Sequence, residues 1–187
     1  MLDKSMGLTV DCAAYDVEDS VTPDLKQSAR HGLRDFLNTT RPKGIINVKG
    51  IYYGTAALMP RLLKQGQGGV MLNVASVGAT RPRPGLVWYN ASKGAVWNVT
   101  KGLAAEFGPH KIRVNSVSPL LGATGLFEAF SGVPDTPPEN RQKFLDNVPL
   151  RRLCEAEDVA NACVYLASDE ASFITGINLE VDGGRAV

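Results

Sequence analysis

Hydrophobic and polar positions follow two rhythms along this chain, and the rhythms take turns. Leu8, Val10, Cys12 and Ala14 interleave with Thr9, Asp11, Ala13 and Tyr15, a period of two that predicts a strand. Thr22-Pro23-Asp24 reads as an N-cap, a proline at the first helical position and a first-turn acid. Leu25, Ala29, Leu33 and Phe36 then recur at helical spacing. A second helix is predicted from Pro42 to about Lys64, with a kink at Pro60. Val70–Ala75 is a short apolar run after Gly66, Gly68 and Gly69, the pattern of a buried strand preceded by a turn. Val96, Val99, Leu103 and Phe107 form one stripe of a helix predicted over 87–107, which Gly108-Pro109 closes. Ile112–Val117 predicts a further strand, followed by a loop-and-helix stretch from Pro119 to about Asn147. Val159, Cys163 and Leu166 share a face of a helix over 155–167, and Ile177, Leu179 and Val181 predict a last strand before the turn Asp182-Gly183-Gly184. Strands alternating with helices imply an α/β fold with parallel strands.

Composition narrows the class. The 187 residues are 44% hydrophobic and 21% charged, suited to one domain with one core. Twenty Lys and Arg against nineteen Asp and Glu leave a net charge of +1, without the basic excess of a nucleic-acid binder. No apolar run approaches the ~18 residues that a membrane span requires. Met1-Leu2-Asp3-Lys4 lacks the basic-then-apolar order of a signal peptide. Cys12, Cys154 and Cys163 are scattered and odd in number, which reads as reduced, buried thiols in a cytoplasmic protein. His31 and His110 are too few for a histidine metal site, so no metal is expected.

The candidate chemistry centres on Tyr89-Asn90-Ala91-Ser92-Lys93. On a helix Tyr89 and Lys93 stand at i and i+4 and share a face. A phenol titrates near ~10 in isolation. An adjacent ammonium favours the phenolate, so the pair is suited to moving a proton to or from a substrate oxygen near neutral pH. Ser76 follows the buried strand, at the edge where open α/β sheets place ligands, thirteen residues before Tyr89. Its hydroxyl is suited to donate to a substrate carbonyl. Asn47 opens the helix that begins Asn47-Val48-Lys49-Gly50.

These segments, with Asn73-Val74-Ala75-Ser76, the run Arg113-Val114-Asn115-Ser116-Val117-Ser118-Pro119, and the tail from Ala167-Ser168-Asp169 through Ile174-Thr175-Gly176 to Val181-Asp182-Gly183-Gly184, fall in a fixed order. That order resembles the short-chain dehydrogenase/reductase family over about residues 44–187. The resemblance implies an incomplete Rossmann-like, doubly wound parallel sheet of about four strands flanked by helices. It implies an NAD(P)-dependent oxidoreductase, taking NADP or NAD, that passes a hydride between nicotinamide and a carbonyl or secondary-alcohol substrate. Tyr89 would be the general acid/base, and Lys93 would lower its pKa and bond the nicotinamide ribose. Ser76 would orient the carbonyl, and Asn47 would hold a water in the relay to Lys93. Pro119 and Thr124 would lie against the nicotinamide end, and Asp16 against the adenine. A homodimer or tetramer through the two long helices is also implied.

Departures from the family pattern accompany the match. No glycine-rich phosphate turn follows the first strand, and no Asn-Asn-Ala-Gly strand end lies between Asp16 and Asn47. Leu120 stands where the family places a glycine, a substitution expected to crowd the cofactor. The chain thus reads as one domain, with 1–43 a degenerate remnant of the cofactor-binding half and 44–187 a well-matched catalytic half. It is about 60 residues short of a full dinucleotide-binding unit. A catalytically impaired pseudo-enzyme, or a truncated product retaining a dimerisation surface, is the alternative reading. The remnant strand at 8–15, deprived of its family neighbours, is expected to close up beside Val70–Ala75, because backbone polar groups require partners.

Plainer readings stand beside the functional ones. Ser76 suits a strand-end cap, Asn47 a helix cap, and Thr124 and Asp16 ordinary loop and turn positions. Arg81-Pro82-Arg83-Pro84 is either a solvated loop or a receiver of an anionic substrate. Trp88 and Trp97 read as packing residues. Leu120, Leu121, Leu126, Phe127 and Phe130 are either a substrate lid or core.

Overall fold

Short apolar strands joined by amphipathic helices bury both sheet faces only when helices cover each side. The computed structural model shows that arrangement and describes residues 12–13, 46–122, 131 and 138–187. Its strands are β1 (Cys12–Ala13), β2 (Gly69–Val74), β3 (Ile112–Pro119) and β4 (Asn178–Val181). Its helices are α1 (Ile46–Gln65), α2 (Val87–Phe107), α3 (Pro138–Leu145) and α4 (Ala156–Ala167). The strands form one sheet in the order β1-β2-β3-β4, every neighbouring pair parallel. Cys12 lies opposite Val70 and Ala13 opposite Met71, so the amino-terminal strand lies beside β2, as the pairing argument predicts. The remainder of the 8–15 strand and the helix predicted after Thr22 lie outside the described residues.

The pleat of β2 and β3 sorts the core onto two faces. Met71, Ile112 and Val114 pack with Met59 and Leu62 of α1 and Ala104 of α2. Val70, Leu72 and Val117 face the other way, onto Leu166, Val159 and Cys163 of α4. Asn73 ties the first layer together, its Nδ2 donating to Thr100 Oγ1 on α2 at 2.9 Å. α1 runs unbroken through Pro60. Gly68 turns the chain into β2 at φ +84°, and a Cβ there would stand 2.5 Å from the Lys111 carbonyl oxygen, so only glycine fits.

Three expectations are corrected here. Leu120, expected to crowd a cofactor, is instead a core residue: it is 6% exposed and packs with Val148 and Cys154, its N–H donating to the Val181 carbonyl. Leu121 joins that cluster, which decides both leucines as core. Trp88 is 82% exposed, on the solvent side of the first turn of α2, and is not part of the core among the described residues. Among the thiols, Cys154 is buried but Cys163 is only half-buried, and burial pushes both up from the ordinary thiol value.

Arg113 and Asn115 make the polar motif of β3 a structural device. Arg113 Nη1 donates to the Leu166 carbonyl at 2.6 Å and Nη2 to the Ser168 carbonyl at 3.0 Å, capping the C-terminal end of α4 with positive charge. Asn115 is fully buried, donates to the Ile174 carbonyl at 2.9 Å and accepts from Ile177 N–H at 3.1 Å. These bonds hold the turn that feeds β4.

Candidate active site

In a parallel sheet every strand ends on the same edge, and loops leaving that edge converge. Here the edge carries Ser76 after β2, Pro119 at the end of β3 and Asp182 after β4. Ser76 keeps the extended backbone of the strand, and its Oγ accepts from Gly78 N–H at 3.2 Å, capping the short 3₁₀ turn Val77–Ala79. The cap role predicted as the plainer reading is therefore present, and it fixes the hydroxyl at the sheet edge.

The loop from 77 to 86 leads into α2, which carries Tyr89 in its first turn and Lys93 one turn later. Tyr89 is partly exposed at the mouth of the site, whereas Lys93 is 4% exposed. The Lys93 ammonium donates to the Val74 carbonyl at 3.2 Å, at the last residue of β2, and sits 5.7 Å from the centre of the Tyr89 ring. A cation is thus held beside the phenol, and Val74 takes one of its three N–H donors. Asn90, buried at 5%, locks the loop by donating to the Arg83 carbonyl at 3.2 Å. Gly78 approaches it so closely that a Cβ would stand 2.4 Å from Asn90 Oδ1. Sequence reasoning missed Asn90, although its place inside the Tyr-Asn-Ala-Ser-Lys run was the available signal.

Beside this loop lies an open cavity of about 620 Å³, bordered by Gly78, Pro82, Arg83, Val87, Asn90 and Ala91. Most of that lining is apolar, and Arg83 is its charged member. The structure therefore brings Ser76, Tyr89 and Lys93 to one sheet edge. Pro119 ends β3 on the same edge and is partly exposed. Asn47 is the second residue of α1, and its side chain lies outside the described residues, as do Asp16 and Thr124.

A family model described as enoyl-(acyl carrier protein) reductase matches residues 34–186. The chain is 48% identical over 142 residues to 4-formylbenzenesulfonate dehydrogenase of Comamonas testosteroni, covering 76% of this chain and 56% of that protein. It is 32% identical over 156 residues to carbonyl reductase [NADPH] 2 of Sus scrofa, covering 81% and 62%. Among solved structures, 3-ketoacyl-(acyl-carrier-protein) reductase of Brucella melitensis, complexed with NADH, superposes with a TM-score of 0.68 at 39% identity, over 95% of this chain and 66% of that one. A short-chain type dehydrogenase/reductase of Mycobacterium ulcerans gives a TM-score of 0.68 at 33% identity, over 75% and 50%. The chain belongs to the short-chain dehydrogenase/reductase family, and its α/β sheet is a portion of the Rossmann-like fold of those relatives. It spans little more than half the length of the curated relatives it matches.

Proposed function

We propose that the chain carries the catalytic half of an NAD(P)-dependent oxidoreductase that interconverts a carbonyl compound and the corresponding secondary alcohol. One observation carries the reading: a buried lysine ammonium held between the end of β2 and the ring of a tyrosine one helical turn away. Burying that charge is costly unless it has partners, and here it stands where a phenol would benefit from it. The matched relatives support the reading, since their names are those of dehydrogenases and reductases.

Tyr89 gives a proton to the carbonyl oxygen in reduction and takes it back in oxidation. Lys93 sets its positive charge beside the phenol ring, where it favours the anionic form that develops in proton transfer. Ser76, fixed at the strand end, donates to the same substrate oxygen and orients it. The nicotinamide cofactor, when bound, supplies or accepts the hydride at the carbonyl carbon. The residues present fit its nicotinamide end: Lys93 has N–H donors beyond the one given to Val74, and Pro119 lies on the same edge. The family resemblance implies that Asn47 would hold a water relaying protons to Lys93, that Thr124 would bond the carboxamide and that Asp16 would meet the adenine. Copies of the chain associate through α1 and α2, supported by the exposed apolar flank of Tyr52, Ala56 and Leu63 on α1.

Tyr89→Phe is the direct test. Consumption of NADPH or NADH with a panel of aldehydes and ketones is expected to fall at least about hundredfold, the lower bound of general acid/base contributions. The melting temperature is expected to stay within a few degrees. Turnover retained in the variant would sink the mechanism.

A further inference from the structure

Three arginines from two separate stretches of the chain lie beside the candidate site. Arg81 and Arg83 lie on the loop between Ser76 and Tyr89, and Arg185 lies in the turn after β4, on the same sheet edge. Arg81 Nη1 donates to the Arg185 carbonyl, which pins the loop to the carboxy-terminal turn. Arg83 donates one N–H to the Ser131 carbonyl at 2.7 Å and borders the 620 Å³ cavity. Arg185 is half-buried, and its Nη1 is buried with no hydrogen-bond partner among the described residues.

The acids nearby are already engaged. Asp182 is 7% exposed, its Oδ1 accepting from Gly184 N–H at 2.9 Å and its Oδ2 from Ala186 N–H at 2.7 Å. Glu180 accepts from the Thr80 hydroxyl. Burial first, and then the charges of Arg81 and Arg83, hold the Arg185 guanidinium below its ordinary value, while Asp182 pulls the other way. A half-buried guanidinium with a buried, unpartnered N–H, in the field of two like charges, is a costly arrangement in a folded protein. A carboxylate or sulfonate would relieve both costs, since its oxygens match the planar fork of donors.

We infer that Arg81, Arg83 and Arg185 form a receiving site for the anionic group of the substrate, which is a carbonyl or alcohol compound with one anionic end on an apolar body. Pro82, Pro84, Val87 and Ala91 around the cavity fit that body. That the anion belongs to a substrate rests on the oxidoreductase activity proposed above; the anion site itself does not. The arginines therefore act in specificity, by holding the far end of the molecule while its carbonyl reaches Ser76 and Tyr89.

The test is calorimetric titration of the full chain with 4-carboxybenzaldehyde and with its methyl ester, which keeps the aldehyde and the ring but removes the charge. The acid is expected to bind about ten- to hundredfold more tightly, as one or two charge-assisted hydrogen bonds would give. Arg185→Gln is expected to erase most of that preference. Arg81→Gln, at an exposed position, is expected to reduce it and remains informative if the first variant does not fold. NADP is expected to leave acid binding undisturbed, whereas displacement of the acid by NADP would assign the arginines to a cofactor phosphate and overturn the inference. Equal affinity for acid and ester, or a preference surviving both variants, would also overturn it. Acid-selective, arginine-dependent binding without NAD(P)H turnover would keep the anion site and count against the oxidoreductase reading. Turnover of the ester with no acid preference would do the reverse.

Discussion

Lys93 combines a structural cost with a chemical use. At 4% exposure its ammonium has given up most of its water, and the Val74 carbonyl returns one hydrogen bond. A methionine of similar length would fill the same space with no desolvation cost, which makes Lys93→Met a clean probe of why charge is kept there. The variant is expected to melt within a few degrees of the parent, or above it. Carbonyl reduction should fall at least about hundredfold, and its pH profile should move to higher pH as Tyr89 loses its neighbouring cation. An unchanged pH profile in a folded, active variant would remove Lys93 from the proton chemistry. Tyr89 and Lys93 were legible in the sequence because their helical spacing puts them on one face and the ordered motifs around them single out that pair. The Val74 carbonyl was not, since a backbone acceptor has no signature in side-chain identity.

At the scale of elements, α4 shows how a helix is fixed at both ends. Its N-terminus begins at Glu155, whose N–H donates to Asp158 Oδ2 at 2.9 Å, and Arg152 forks onto the same carboxylate at 2.5 and 2.7 Å. Its C-terminus ends on Arg113. The Arg152 guanidinium, followed by the Glu155 N–H, holds the Asp158 carboxyl well below the usual carboxylate range. A carboxyl depressed by folding contributes stability above its unfolded value and loses it as pH falls toward its folded one. Thermal melts of the parent and Asp158→Asn are therefore expected to differ by a constant margin near neutral pH. The margin should narrow below about pH 4, where the unfolded carboxyl takes up its proton. A margin independent of pH down to acid unfolding would show that the charge of Asp158 contributes nothing. The apolar face of this helix was readable from the chain, but Arg113, which holds its C-terminal carbonyls, lies on a strand more than forty residues upstream. Only sheet formation brings the two together.

For the whole molecule, the exposed flank of α1 and the exposed start of α2 bear on assembly. Tyr52 is 55% exposed and Leu63 39%, and single exposed apolar residues are common while a shared flank is less so. Sedimentation velocity at micromolar concentration is expected to show a dimer or tetramer, and Tyr52→Arg is expected to shift it toward monomer. A monomer in the parent would end the association reading. No helix among the described residues is long and apolar enough to cross a membrane.

Periodicity located most of the described elements. β2, α2, β3, α4 and β4 each fall within two residues of the spans that the apolar pattern predicts, because burial of one face is a local constraint written into every third, fourth or second residue. The pairing of β1 with β2 also followed, since an unpaired strand is intolerable wherever it lies. The order of motifs determined the family and the candidate residues Ser76, Tyr89 and Lys93. Tertiary structure alone decided the direction of Leu120, which turned into the core because Val148 and Cys154 left it an apolar site there. It alone exposed Trp88, and it alone brought Arg185 to Arg81 across about a hundred residues of chain. The division has one cause. Secondary structure and motif order depend on neighbours a few positions away, whereas the meeting of distant side chains depends on how four parallel strands register and which edge their loops share.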